Sequence, residues 1–151
     1  MLFRSTNHAV NAGKITVFGG AQMRPNLHLK DMVAIYKLLL TCDDKLIAGE
    51  IFNAGYQNYS VSETAEIVRK IVGQELPDRK GVEIVTTPSD DIRSYRVNAD
   101  KIKRVLGFTP QFTVEDAVRD LVKAFGQGKL PNSMTDVNYF NIKKMQSVKL
   151  A

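Results

Sequence analysis

Two short segments carry the residues best able to do chemistry. The first is GGAQMRPNLHLKD, Gly19 to Asp31. Its paired glycines let the backbone pass close to a ligand. Arg24 follows within a few residues and presents a planar, permanently charged donor fork suited to phosphate. The second is SDDIRSYR, Ser89 to Arg96, where Asp90 and Asp91 stand beside Arg93 and Arg96. A carboxylate accepts two hydrogen bonds in one plane and so suits sugar hydroxyls, while arginines suit phosphates. Such a loop is chemically apt for a ribose diphosphate. Each segment also has a structural reading: a glycine turn with a surface arginine, and a local ion-pair cluster ahead of a helix. His28 is a candidate general base by residue type, and His8 has no partner motif.

The elements that must hold these segments follow from local pattern. Residues 5–12 are weakly helical and end at Gly13. KITVF, Lys14 to Phe18, is a β-branched and aromatic run closed by Gly19 and Gly20. Asn26 to Leu29 reads as a short extended piece after Pro25. Asp31 can cap a helix through Leu40, with Met32, Ile35, Tyr36, Leu39 and Leu40 at helical spacing. Ile51 to Ala54 reads as a brief apolar strand. Ser60 and Glu63 form a capping box that opens a helix stopping at Gly73. Val82 to Thr86 reads as a strand, and Asn98 as the cap of a short helix ended by Gly107. Thr113 and Asp116 cap a last helix with Ala117, Val118, Leu121, Val122 and Phe125 inward. From Lys129 onward no periodicity is evident, and a surface-wrapping tail is expected. The fold class is α/β, helices with a few short strands. The expected division is a domain over 1–128 and a tail over 129–151.

Composition bounds the alternatives. The chain has 151 residues, one ordinary domain, with 44% hydrophobic and 25% charged residues, a globular balance. A net charge of +5 suggests an anionic partner. The charges are scattered, densest at Lys101, Lys103 and Arg104 and next at Lys143 and Lys144, without the interleaved aromatics of a nucleic-acid surface. Cys42 is the only cysteine, so no intrachain disulfide or cysteine-rich metal site can form. No run of about 18 apolar residues suggests a membrane span, and no signal peptide is read. A cytoplasmic protein is expected, with no metal, nucleic-acid or membrane partner.

The motifs together resemble the C-terminal, substrate-binding part of the extended short-chain dehydrogenase/reductases, the NAD-dependent nucleotide-sugar epimerases and dehydratases. That part runs K-x-x-V-F-G, R-x-x-x-H-V-x-D, F-N-x-G, S-V-x-E-x-A, G-D-x-R, a D-x-x-K helix ending L-G-F-x-P, and T-x-E-D-A. Here these are Lys14–Gly19, Arg24–Asp31, Phe52–Gly55, Ser60–Ala65, Asp90–Arg93, Asp100–Pro110 and Thr113–Ala117, covering roughly residues 5–128. The resemblance implies that Arg24 contacts the substrate diphosphate and that Asp91 and Arg93 hold ribose and phosphates. It also implies that Ile15, Val17 and Phe18 lie along the base. Two positions depart from the pattern: Asp90 replaces glycine, and Pro88 stands where many relatives have a further arginine. By the same resemblance His28 is structural, in a strand before a helix whose N-cap is Asp31.

Chemistry in this family uses NAD(P), a glycine-rich loop at a helix N-terminus, and a Tyr-x-x-x-Lys pair. No G-x-x-G-x-x-G or G-x-G-x-x-G occurs here. Tyr139 to Lys143 has the tyrosine–lysine spacing but follows all the substrate-side motifs, and is read as coincidence. The expectation is a truncated homologue without the Rossmann half, needing no cofactor on this chain and with no catalytic residues, that binds a nucleotide sugar and is inactive alone. Apolar faces such as Ile51–Ala54 would then be uncovered, and a homodimer is expected. The competing expectations are a self-associating structural or regulatory protein that has lost ligand binding, and an enzyme half acting in trans. Base and sugar identity stay open at this point.

Overall fold

In a computed structural model, residues 2–148 are described. The helices are α1 (Leu2–Ala12), α2 (Leu29–Leu39), α3 (Val61–Glu75), α4 (Asp100–Leu106), α5 (Val114–Gly126) and α6 (Asn141–Ser147). The strands are β1 (Lys14–Phe18), β2 (Met23–Asn26), β3 (Gln57–Ser60) and β4 (Glu83–Thr87). β1 pairs in parallel with β4, from Lys14 opposite Glu83 to Phe18 opposite Thr87. β2 pairs antiparallel with β3, Arg24 opposite Tyr59. Among the described residues there is no larger sheet. This is the expected α/β class of helices with short strands.

Period-2 patterning builds the inner layer. Ile15 and Val17 alternate with the exposed Lys14 and Phe18 and the half-buried Thr16 along β1, and turn fully into the core. They meet Ala65, Val68, Ile71 and Val72 on one face of α3, Val118 and Val122 on α5, and Ala9 on α1. Burying each such branched side chain stabilises by roughly 1.5–3 kcal/mol. The two capping boxes form as the sequence dictates. Ser60 Oγ accepts from Glu63 N at 3.1 Å and Glu63 accepts from Ser60 N at 2.7 Å. Thr113 and Asp116 repeat the arrangement at 3.2 and 2.9 Å. Gly107 ends α4 with φ 67°, a conformation that favours glycine.

Several local expectations are corrected. Ile51 to Ala54 is not a strand: Ile51 is 82% exposed, and its carbonyl accepts from Lys101 Nζ at 2.8 Å. The extended piece near Pro25 lies earlier, at Met23–Asn26. Asp31 is not the N-cap of α2. His28 caps it, Nδ1 accepting from Lys30 N at 3.1 Å. Asp31 is buried instead, and its two oxygens accept from the backbone of Gln111 and Phe112, each at 3.0 Å. That clamp sets the loop leading into α5 against α2. Ala99 rather than Asn98 caps α4, with Asn98 Oδ1 accepting from Asp100 N.

The segment after Gly128 is tied back to α1. Asn7 Nδ2 donates to Ser133 O at 3.0 Å, and Ser133 Oγ donates to Asn7 Oδ1 at 2.7 Å, both buried. Phe3 stacks on Tyr139 at 5.8 Å and on Phe125 at 6.3 Å. α6 then forms where no periodicity was evident.

Candidate functional site

A cleft of about 240 Å³ opens beside the carboxyl ends of the parallel β1–β4 pair. In open α/β sheets that edge is where ligands usually sit. Phe18, Gln22, Arg24, Ser89 and Asp91 line it, with Arg4 of α1 on its rim. The turn between β1 and β2 depends on Gly19 and Gly20, at φ 75° and 126°. A Cβ on Gly20 would stand 2.4 Å from Ser62 Oγ. Other residues are strongly disfavoured there.

Gln22 fastens this turn to the segment after β4. Its Oε1 accepts from Gly20 N at 2.7 Å, and its Nε2 donates to Asp91 O at 2.8 Å and Phe18 O at 3.2 Å. Met23 N donates to Ser94 Oγ at 2.9 Å, and Tyr95 N to Met23 O at 3.3 Å. Asn58 then exchanges two hydrogen bonds with the Val97 backbone, at 2.9 and 3.1 Å. Residues 89–97 have no regular structure, yet these side chains hold them along β2 and β3.

Arg24, Asp91 and Arg93 come together as one charged cluster. Arg93 grips Asp91 as a fork, Nε to Oδ1 at 2.7 Å and Nη2 to Oδ2 at 2.9 Å. Arg24 Nη2 lies 3.3 Å from the same Oδ2. Its Nη1 donates to the carbonyls of Met23 and Arg93, and its guanidinium lies 5.4 Å from the centre of the Tyr95 ring. The Arg93 hydrogen bonds, then its charge and that of Arg24, lower the Asp91 carboxyl from 3.8 to about 2. Arg24 is mostly covered, 20% exposed, whereas the Arg93 side chain is 81% exposed and does not line the cleft.

The three hydrophobic candidates part company. Phe18 is 45% exposed and presents its ring to the cleft. Val17 is 1% exposed and only edges it. Ile15 is fully buried and packs in the core, so its side chain does not reach a ligand. Period-2 alternation separates them: neighbours on a strand cannot all face one ligand.

His28 is occupied structurally. Its Nδ1 accepts the cap hydrogen bond, which leaves the proton on Nε2, 3.5 Å from Asp120 Oδ2, and its ring lies 5.0 Å from that of Phe112. Tyr139 and Lys143 are not brought into a pair: Tyr139 stacks on Phe3, while Lys143 Nζ lies 4.9 Å over the Phe140 ring. Among the described residues no group of three His, Cys, Asp or Glu could hold a metal.

A dinucleotide does not fit the glycine turn. Gly19–Gly20 leads from β1 into β2 rather than into a helix. It therefore lacks the helix N-terminus on which a cofactor pyrophosphate rests. No step through NAD(P) can be drawn from these residues.

In sequence and fold, the chain is similar to a portion of the extended short-chain dehydrogenase/reductases. It is 30% identical over 122 residues to the dTDP-glucose 4,6-dehydratase of Shigella flexneri, covering 77% of this chain and 33% of that one. It thus spans about a third of the length of the curated relatives it matches. The dTDP-glucose 4,6-dehydratase of Bacillus anthracis, solved in complex with NAD, superposes with a TM-score of 0.70 at 22% identity, over 90% of this chain and 42% of that one. The UDP-glucose 4-epimerase of Thermotoga maritima, solved with UDP-glucose, superposes at 0.67 and 22%, over 83% and 39%. No family model matches the chain.

Proposed function

We propose that this chain is the nucleotide-sugar-binding portion of an epimerase or dehydratase homologue, and that it does not catalyse on its own. The observation that carries the reading is the Arg24–Asp91–Arg93 cluster, whose Arg24 and Asp91 line the cleft at the carboxyl ends of β1 and β4 together with the half-exposed Phe18. Guanidinium, carboxylate and aromatic ring match the phosphate, ribose and base of a nucleoside diphosphate. Similarity to proteins named as acting on dTDP-glucose and UDP-glucose supports that ligand class. The reading includes a cytoplasmic setting, in keeping with a single cysteine, Cys42. Among the described residues no helix is long and apolar enough to cross a membrane.

Calorimetric titration with UDP-, GDP-, CDP- and dTDP-sugars tests the proposal. Binding of at least one is expected, with no turnover. Silence toward all four at millimolar concentration defeats it.

A second reading, self-association without a ligand, is favoured by one observation. α2 exposes Leu29, Val33 and Tyr36, and its C-cap Leu40 continues the stripe at helical spacing. Arg24→Ala and Arg93→Ala separate the two. Loss of ligand affinity with assembly intact supports the first reading. Absence of binding heat already in the wild type, with assembly intact, supports the second.

A further inference from the structure

We propose that Arg4 is a further anion contact of the cleft, taking a phosphate of a nucleoside diphosphate beside the Arg24–Asp91–Arg93 cluster. The inference rests on reading this cleft as a nucleotide site. Arg24 is the residue that the sequence offers for phosphate, but its donors are largely occupied. Both of its Nη1 hydrogens meet backbone carbonyls, and Nη2 meets Asp91. Its charge is balanced by a carboxylate that Arg93 also grips. Arg93 stands off the cleft.

Arg4 differs in each respect. It lies on the first turn of α1, is exposed, and lines the same cleft. Among the described residues it forms no ion pair and donates no hydrogen bond. Its guanidinium carbon sits 5.0 Å from the centre of the Phe18 ring. A guanidinium held over a ring keeps the N–H groups that point away from it free for a phosphate. Ser5, Thr16 and Ser89 also line the cleft, the Ser89 hydroxyl accepting from Asp91 N at 3.1 Å. The charged residues lining the cleft are two guanidiniums and one carboxylate, a net excess of one positive charge.

The field of Arg4 is felt nearby. His8, one turn further along α1, is held below its usual value first by burial and then by the charge of Arg4. An anion seated on Arg4 removes that repulsion and lets His8 titrate higher.

The test titrates UDP, dTDP, GDP, CDP and pyrophosphate into the wild-type chain, Arg4→Ala and Arg4→Lys, by calorimetry. His8 is followed by NMR with and without saturating nucleotide. Arg4→Ala is expected to keep the wild-type melting temperature, since the side chain is exposed. It should weaken the nucleotide that binds, and pyrophosphate, by about tenfold or more, the usual worth of a charge-assisted contact. Arg4→Lys should recover part of the loss, and bound nucleotide should raise the His8 titration in the wild type. Wild-type binding that Arg4→Ala leaves unchanged overturns the role of Arg4 and spares the nucleotide reading. Absence of wild-type binding to all five probes overturns both.

Discussion

At the residue scale, Asp91 is the pivot of the site. Its carboxylate takes both arms of Arg93 and one of Arg24, so it holds two cations with one charge. Its folded value, about 2, lies below the ordinary 3.8. A depressed acid contributes stability above its unfolded value and loses that contribution as pH falls through its folded value. The 89–97 loop should therefore stay ordered at pH 4 and loosen between about pH 3.8 and 2. Carboxyl carbon NMR of the wild type should show Asp91 titrating near the lower limit, and Arg93→Ala should move it back toward 3.8. An Asp91 titration unmoved in that variant would mean that the fork is not what lowers it. Arg93, exposed and absent from the lining of the cleft, acts on the cluster through this carboxylate.

At the element scale, what the sequence showed depended on distance along the chain. The capping boxes at Ser60–Glu63 and Thr113–Asp116 were legible because both partners lie three residues apart. The alternation in KITVF was legible for the same reason. Local pattern offers Asp31 as an N-cap and hides its actual role, because its partners, the amides of Gln111 and Phe112, lie 80 and 81 residues away. Ile51–Ala54 has strand-like composition but pairs with no strand edge among the described residues, and composition does not supply one. Arg24, Asp91 and Arg93 could be named from motif order, whereas Arg4 and Gln22 belong to the site only through tertiary contact. The Asp31 clamp gives a prediction at this scale. Asp31→Ala leaves two amides without their acceptor beside α2, and should cost about 2–3 kcal/mol in urea denaturation. A loss near zero would show that the loop before α5 is held by other contacts.

At the scale of the whole molecule, the question is what covers α2. Leu29, Val33, Tyr36 and Leu40 are 74%, 45%, 62% and 85% exposed, and their spacing of four, three and four residues keeps them on one stripe. Leu29 and Val33 of this stripe, with Leu2, Phe3, Ala117 and Leu121, line a mainly apolar groove of about 610 Å³ between α1, α2 and α5, with Lys30 and Asp120 also on its walls. A contiguous apolar surface of this kind marks an association site in soluble proteins. A second copy of the chain is the occupant proposed here, because an amphipathic helix seated in an apolar groove buries both features at once. The basic charge of the chain, +5, opposes pairing at low salt, so added salt should favour association if apolar contact drives it. Size-exclusion chromatography with light scattering should give a dimer. Val33→Lys with Tyr36→Lys should shift it to monomer while the circular dichroism of the helices persists. A monodisperse wild-type monomer across the accessible concentration range would rule the homodimer out, leaving α2 as a surface for a different polypeptide.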